Sequence, residues 1–155
     1  TSLTRPDPRT KFAHADGIVV STLRFPSGAV AVSLEDVWSG PRAEGYEDDQ
    51  HIGWRVEGTE GVAKGTIGWP TGAPSTLSYA SLKATGGKWV TPQWETMWFP
   101  HAFTGVMEQL QHAVKTGTAP ALSVADNVRT MALVEAAYQS IEERRTVRLS
   151  EIKID

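Results

Sequence analysis

The sequence predicts an α+β domain: an open, mainly antiparallel sheet of about six or more strands with two helices packed on one face. Three observations carry that expectation. Residues 17–94 alternate β-branched and aromatic runs with Gly/Pro turns, the pattern of consecutive hairpins. From Trp98 onward the apolar spacing lengthens to that of a helix, and it does so twice. The strand–helix alternation of a parallel sheet is missing from the β-rich part.

The chain has 155 residues, 40% of them hydrophobic, with six Trp, three Tyr and four Phe. That length suits one domain and supplies a core without a disulfide or metal staple. The absence of Cys excludes a disulfide scaffold, a zinc ribbon and thiol catalysis, and fits a cytoplasmic location. A formal net charge of -3 argues against nucleic acid or an anionic membrane as partner. No stretch approaches the roughly 20 apolar residues of a membrane helix.

Residues 1–16 carry Pro6 and Pro8 and no periodicity, and read as a linker or lead-in, or as an edge strand. Residues 17–25 and 29–38 flank Pro26-Ser27-Gly28 as a hairpin. Its alternation puts Val19, Leu23 and Phe25 on one face and Ile18, Val20 and Thr22 on the other, so both faces want cover: helices on one, another subunit on the other. Residues 39–50 form a long polar loop. Residues 51–57 place Ile52, Trp54 and Val56 on one face, turn at Gly58-Thr59-Glu60-Gly61, and continue as a strand over 62–69. Residues 77–83 and 88–94 flank Gly86-Gly87 as a third hairpin.

In the first helix Phe99, Ala102, Phe103, Val106, Met107, Leu110, Ala113 and Val114 share a face, Pro100 suits the first turn, Gly117 ends it, and Gly105 points to close packing. Ser123 and Asp126 have the spacing of a capping box. The second helix then runs to about Glu143 with Val128, Met131, Val134, Tyr138 and Ile141 as its buried face, and Arg144 and Arg145 suit its end. Residues 146–149 read as a short final strand.

Few of the residues that carry chemistry fall into a known constellation. Gly86-Gly87-Lys88-Trp89 is not a phosphate loop, and no G-x-G-x-x-G run is present. His101 and His112 lie roughly 16 Å apart along a helix and cannot share a metal, so no metal site is expected. The acidic residues Glu44, Glu47, Asp48 and Asp49 read as a solvated loop, and no nucleophile elbow occurs. The tryptophans suit packing or an interface. The ligand candidates are Trp38, Arg42 as a fork donor to oxygen, and His51.

The segments W-F-P-H-A-F-T-G-V-M-E-Q-L (98–110), S-V-A-D-N-V-R-T-M-A-L-V-E-A-A-Y-Q-S (123–140) and T-V-R-L (146–149) resemble the C-terminal domain of the Gfo/Idh/MocA (glucose–fructose oxidoreductase, inositol dehydrogenase, rhizopine catabolism) family. So do L-R-F-P-S-G-A-V-A (23–31) and V-E-G-T-E-G (56–61). The resemblance implies an NAD(P)-dependent oxidoreductase of sugars, inositols or other polyols, with a Rossmann domain absent from this chain and an open sheet that builds a homo-dimer or tetramer. It places the domain at residues 17–155. The family's cofactor turn, its E-K-P lysine and its D-x-x-x-H motif have no counterpart here, so no catalytic or cofactor-binding residue carries over. The expected function is substrate binding and assembly, without catalysis by this chain alone and with NAD or NADP in the parent enzyme. The alternative is a free-standing sugar-binding or assembly module. A first residue other than Met favours the fragment.

Overall fold

The computed structural model describes residues 1–8, 13–36, 51–68, 74–95 and 98–153, without the side chain of His51. The architecture is α+β, and the chain divides into two compact units, Thr1–Glu47 with Ala121–Asp155, and Asp48–Pro120. The six described strands make two three-stranded antiparallel sheets, not the single sheet that the sequence suggests.

In the first unit β1 (Ser2–Arg5), β2 (Ile18–Arg24) and β3 (Val30–Asp36) pair in that order. The β2–β3 turn closes with Phe25 N–H donating to Ala29 O at 3.0 Å and Gly28 at φ 88°, a conformation that favours glycine. Residues 2–5 thus belong to the sheet and not to a lead-in. Their polar Ser-Leu-Thr-Arg run has too little alternation to announce a strand, and the ladder to β2 supplies what the pattern lacks.

The long helix of this unit (Val124–Glu143) begins at Ser123, whose hydroxyl accepts the Asp126 N–H at 3.2 Å. It ends with Arg144 in the left-handed region. Its packed face is the reverse of the expected one. Ala136 and Ser140 are buried, whereas Val128, Met131, Val134 and Tyr138 are exposed and Ile141 is half-buried. The reason is the surface it meets. The Ser140 hydroxyl accepts the Ser2 N–H at 3.0 Å and donates to Arg145 O at 2.6 Å, and Ser2 bonds Ser21 across the ladder at 2.8 Å. Small side chains on both sides allow that approach, and bulky ones do not fit it.

Alternation then leaves the other sheet face bare. Leu3, Val20 and Leu34 form one cross-strand row, with Val32 and Val30 in the rows beside it. Leu3, Val32 and Leu34 are each 67% exposed.

In the second unit β4 (His51–Gly58), β5 (Gly61–Gly68) and β6 (Thr76–Ser81) form a meander. The β4–β5 turn is the expected Thr59-Glu60, with Gly58 opposite Gly61. The third hairpin does not form. Ser81 caps a single helical turn, α1 (Leu82–Thr85), accepting the Ala84 N–H at 3.1 Å, and Gly86 and Gly87 leave it with positive φ. Of the expected partner strand only a bridge between Tyr79 and Val90 remains. Leu, Lys and Ala are good helix formers, and the cap tips the segment toward a helical turn.

Helix α2 (Ala102–Thr116) starts later than its apolar period, since residues 99–101 form a turn; Gly117 ends it as expected. Its apolar stripe, including Phe103, Val106 and Leu110, is exposed. The helix in the first unit, Val124–Glu143, is α3. The final segment is a short 3-10 turn (Leu149–Glu151), not a strand. There Glu151 Oε1 accepts the Arg148 N–H at 2.8 Å, which closes a turn where a strand would need a neighbour.

Among the described residues no neighbouring atom lies within 4 Å of a Cβ added at Gly105, so they do not supply the close packing expected there. Gly105→Ala should therefore raise stability by up to about 1 kcal/mol in chemical denaturation; a loss of stability would contradict the open surroundings.

Arg145 bridges two carboxylates, with Nη2 at 2.8 Å from Glu151 and Nε at 2.5 Å from Glu143. The Gln139 amide and then Arg145 hold Glu143 below its ordinary value, and Arg145 and then the Arg148 N–H do the same for Glu151. A carboxyl depressed by folding stabilises above its unfolded value and loses that contribution as the pH falls through the folded one. Amide protection at Arg148 and Ile152 should accordingly drop as the pH falls below the ordinary glutamate range, and Glu151→Gln should flatten the profile. Protection that is independent of pH in the unaltered chain would remove the assigned role of this bridge.

Candidate functional site

In the second sheet, the two-residue turn fixes which side chains meet. Positions equidistant from Thr59-Glu60 pair, so Ile52 faces Ile67, Trp54 faces Gly65 and Val56 faces Ala63 on one side. Gly65 is required there, since an added Cβ would lie 2.1 Å from Thr76 O and 2.9 Å from the Trp54 ring. The half-buried Trp54 occupies the room that Gly65 leaves, a cross-strand pairing that offsets the weakness of glycine in a strand.

The opposite side is polar. Gly53 pairs with Thr66, and Thr66 with Thr76; Arg55 pairs with Lys64, and Lys64 with Ser78. These rungs, together with Trp54 and Gly65, line an open groove of about 540 Å³. Its hydroxyls are ordered by one another: Thr66 and Thr76 meet at 2.8 Å, the Thr66 N–H donates to Thr76 Oγ1 at 3.1 Å, and Ser78 meets Thr91 at 2.9 Å. The two cations are held from outside the groove. Lys64 Nζ stands 5.2 Å from the centroid of the Trp89 ring, and Arg55 forms an ion pair with Glu57. The arrangement offers donors to oxygen ligands and no acid–base pair within reach of one another.

Of the three ligand candidates from the sequence, Trp38 and Arg42 lie outside the described residues. His51 opens β4, its backbone paired with Gly68. Among the other tryptophans, Trp98 packs on Phe99 and Phe103 with centroids 6.5 and 6.4 Å away. His14 Nε2 accepts the Asp7 N–H at 2.8 Å, and Asp16 accepts from the Tyr138 hydroxyl at 3.3 Å, so both residues tie the first unit together. Among the described residues no group of three His, Asp or Glu side chains is placed to hold a metal ion.

Sequence reasoning missed the groove residues, although its own turn assignment contained them. Once Thr59-Glu60 is the turn, Arg55 must oppose Lys64 and Gly53 must oppose Thr66. The overlooked signal is that pairing of two cations beside a glycine.

Antiparallel ladders among the described strands, a long capped helix and a strand-to-helix junction capped by Ser81 define an α+β architecture. The family model for the C-terminal alpha/beta domain of the GFO/IDH/MocA oxidoreductase family matches residues 2–149, and the chain belongs to that family. No curated protein and no solved structure matches it. Among the described residues no helix is long and apolar enough to cross a membrane.

Proposed function

We propose that this chain is the substrate-binding and assembly half of a cytoplasmic NAD(P)-dependent sugar or polyol oxidoreductase, and that it is not catalytic by itself. Family membership supports the oxidoreductase class. The observation that carries the assembly role is the bare row Leu3–Val20–Leu34 with Val32 beside it, on the sheet face turned away from α3. A contiguous apolar face of this kind is costly in water, and covering it returns about 25 cal/mol per Å² of apolar surface. The occupant we assign is a second copy, which makes a homo-dimer or a tetramer.

The residues described here do not fit a nicotinamide dinucleotide. They offer no helix N-terminus behind a glycine-rich turn to take the pyrophosphate. The cofactor belongs, in this reading, to a Rossmann domain of the parent protein. The domain spans residues 17–155, joined by the edge strand β1. Trp38, Arg42 and His51 contribute to the substrate site: the indole stacks on a sugar face, the guanidinium donates a fork of N–H groups to hydroxyl or carboxylate oxygens, and the imidazole adds a further polar contact.

Two measurements test these assignments. Sedimentation of the chain should give a dimer or larger species, and Leu34→Glu should convert it to monomer while its circular dichroism is retained; a monomeric parent chain would sink the assembly role. In the whole enzyme, Arg42→Ala should raise KM about tenfold or more with a smaller change in kcat, as expected when binding shared by ground and transition states is lost. Unchanged kinetics would remove Arg42 from the site.

A further inference from the structure

We infer that Asp16-Gly17 is a conditional modification site: the Asp16 carboxyl closes on the Gly17 backbone nitrogen, and the pair passes through a succinimide to an isoaspartate, only when β1 leaves the sheet. The inference rests on the first unit alone and goes beyond the assembly and substrate roles assigned above.

The first argument is why the fold keeps this pair. Aspartate followed by glycine cyclises readily, because glycine puts no side chain in the path of the ring and lets the backbone turn. The fold requires the glycine. Gly17 is buried, and a Cβ added to it would lie 2.6 Å from Asp7 Cβ and closer still to the Asp7 nitrogen and His14 Nε2. The carboxylate is also in use. Asp16 Oδ2 accepts from the Tyr138 hydroxyl of α3 at 3.3 Å, and Oδ1 stands 3.4 Å from the Thr4 hydroxyl of β1. Two structural demands thus place a reactive carboxyl next to an unhindered nitrogen.

The second argument is what holds the reaction closed. Ring formation joins Gly17 N to Asp16 Cγ and expels a carboxyl oxygen as water, with the amide proton and the carboxyl proton. Water then opens the ring at the main-chain carbonyl, and the chain runs through Cγ. The composition of the protein is unchanged and no other reagent is consumed. In the folded unit the Gly17 N–H donates to Arg5 O at 3.1 Å, next to the Arg5–Ile18 pair at the end of the β1–β2 ladder. The nitrogen cannot turn onto Cγ while that bond is made. β1 is tied down at its other end by the Ser2 N–H, which donates to the buried Ser140 hydroxyl at 3.0 Å. Lifting β1 therefore frees the nitrogen and removes Thr4 from the carboxylate together. Asp16 is exposed, so water reaches the ring. The isoaspartate adds one atom to the backbone where Gly17 has no room for a methyl group, so β1 cannot return to its seat and the opening is recorded.

The test is incubation of the chain at neutral pH. Isoaspartate at Asp16 is read by peptide mapping and by methyl transfer from labelled S-adenosylmethionine with an isoaspartate methyltransferase, and Gly17 amide exchange is followed in parallel. The folded chain should form isoaspartate at least about tenfold more slowly than a synthetic peptide of residues 13–20, because it reacts only from its open fraction. In urea that unfolds it, the chain should recover the rate of the peptide. Ser140→Ala should raise Gly17 exchange and isoaspartate by the same factor. Tyr138→Phe, which frees the carboxylate and not the nitrogen, should raise isoaspartate by a smaller factor with Gly17 exchange unchanged; it serves as a second variant should the first misfold. Equal rates in the folded chain and the peptide, no isoaspartate in the unfolded chain, or isoaspartate that fails to follow Gly17 exchange in Ser140→Ala each overturn the inference. None of these outcomes touches the sedimentation result or the Arg42 kinetics.

Discussion

The Ser140 hydroxyl holds α3 against the edge of the first sheet, and the orientation of that unit follows from it. A buried hydroxyl is tolerated only when its hydrogen bonds are made. Ser140 accepts from Ser2 N–H and donates to Arg145 O, so it meets that condition and also ties an edge strand and a helix end together. Because the contact is made through Ser and Ala, the bulkier side chains of the helix turn away from the sheet. The same geometry covers the Ser2–Ser21 side of the strands and leaves the Leu3–Val20–Leu34 side open.

The second unit divides its labour between two faces of one meander. Trp54 over Gly65 and the neighbouring Ile52–Ile67 and Val56–Ala63 pairs make an apolar side. The reverse side carries cations and paired hydroxyls. Gly65 yields space to the Trp54 indole.

Among the described residues the only buried hydrophobic side chains are Ala80 and Ala136. The exposed stripes of α2 and α3 and the bare face of the first sheet are extensive apolar surfaces. This exposure explains why sequence periodicity pointed to the wrong face of α3. Periodicity reports where apolar side chains cluster, and the cluster was real; it does not report whether this chain or another one covers it.

The family was legible from ordered motifs along residues 23–149. The Ser123 cap, the Gly117 stop, the two-residue Thr59-Glu60 turn and the antiparallel pairing were legible because each is set by interactions within a few residues. The strand nature of Ser2–Arg5 was legible only as one alternative to a linker, since its evidence lies in β2 and in Ser140, far along the chain. The single helical turn that replaced the third hairpin was not legible, because there a local cap competed with a nonlocal ladder and prevailed. The sequence alone determined the class of protein and the local punctuation of its elements, because caps, turns and periods are short-range physics. Tertiary structure alone decided which helix face meets the sheet, because that depends on the shape and chemistry of a surface brought from elsewhere in the chain.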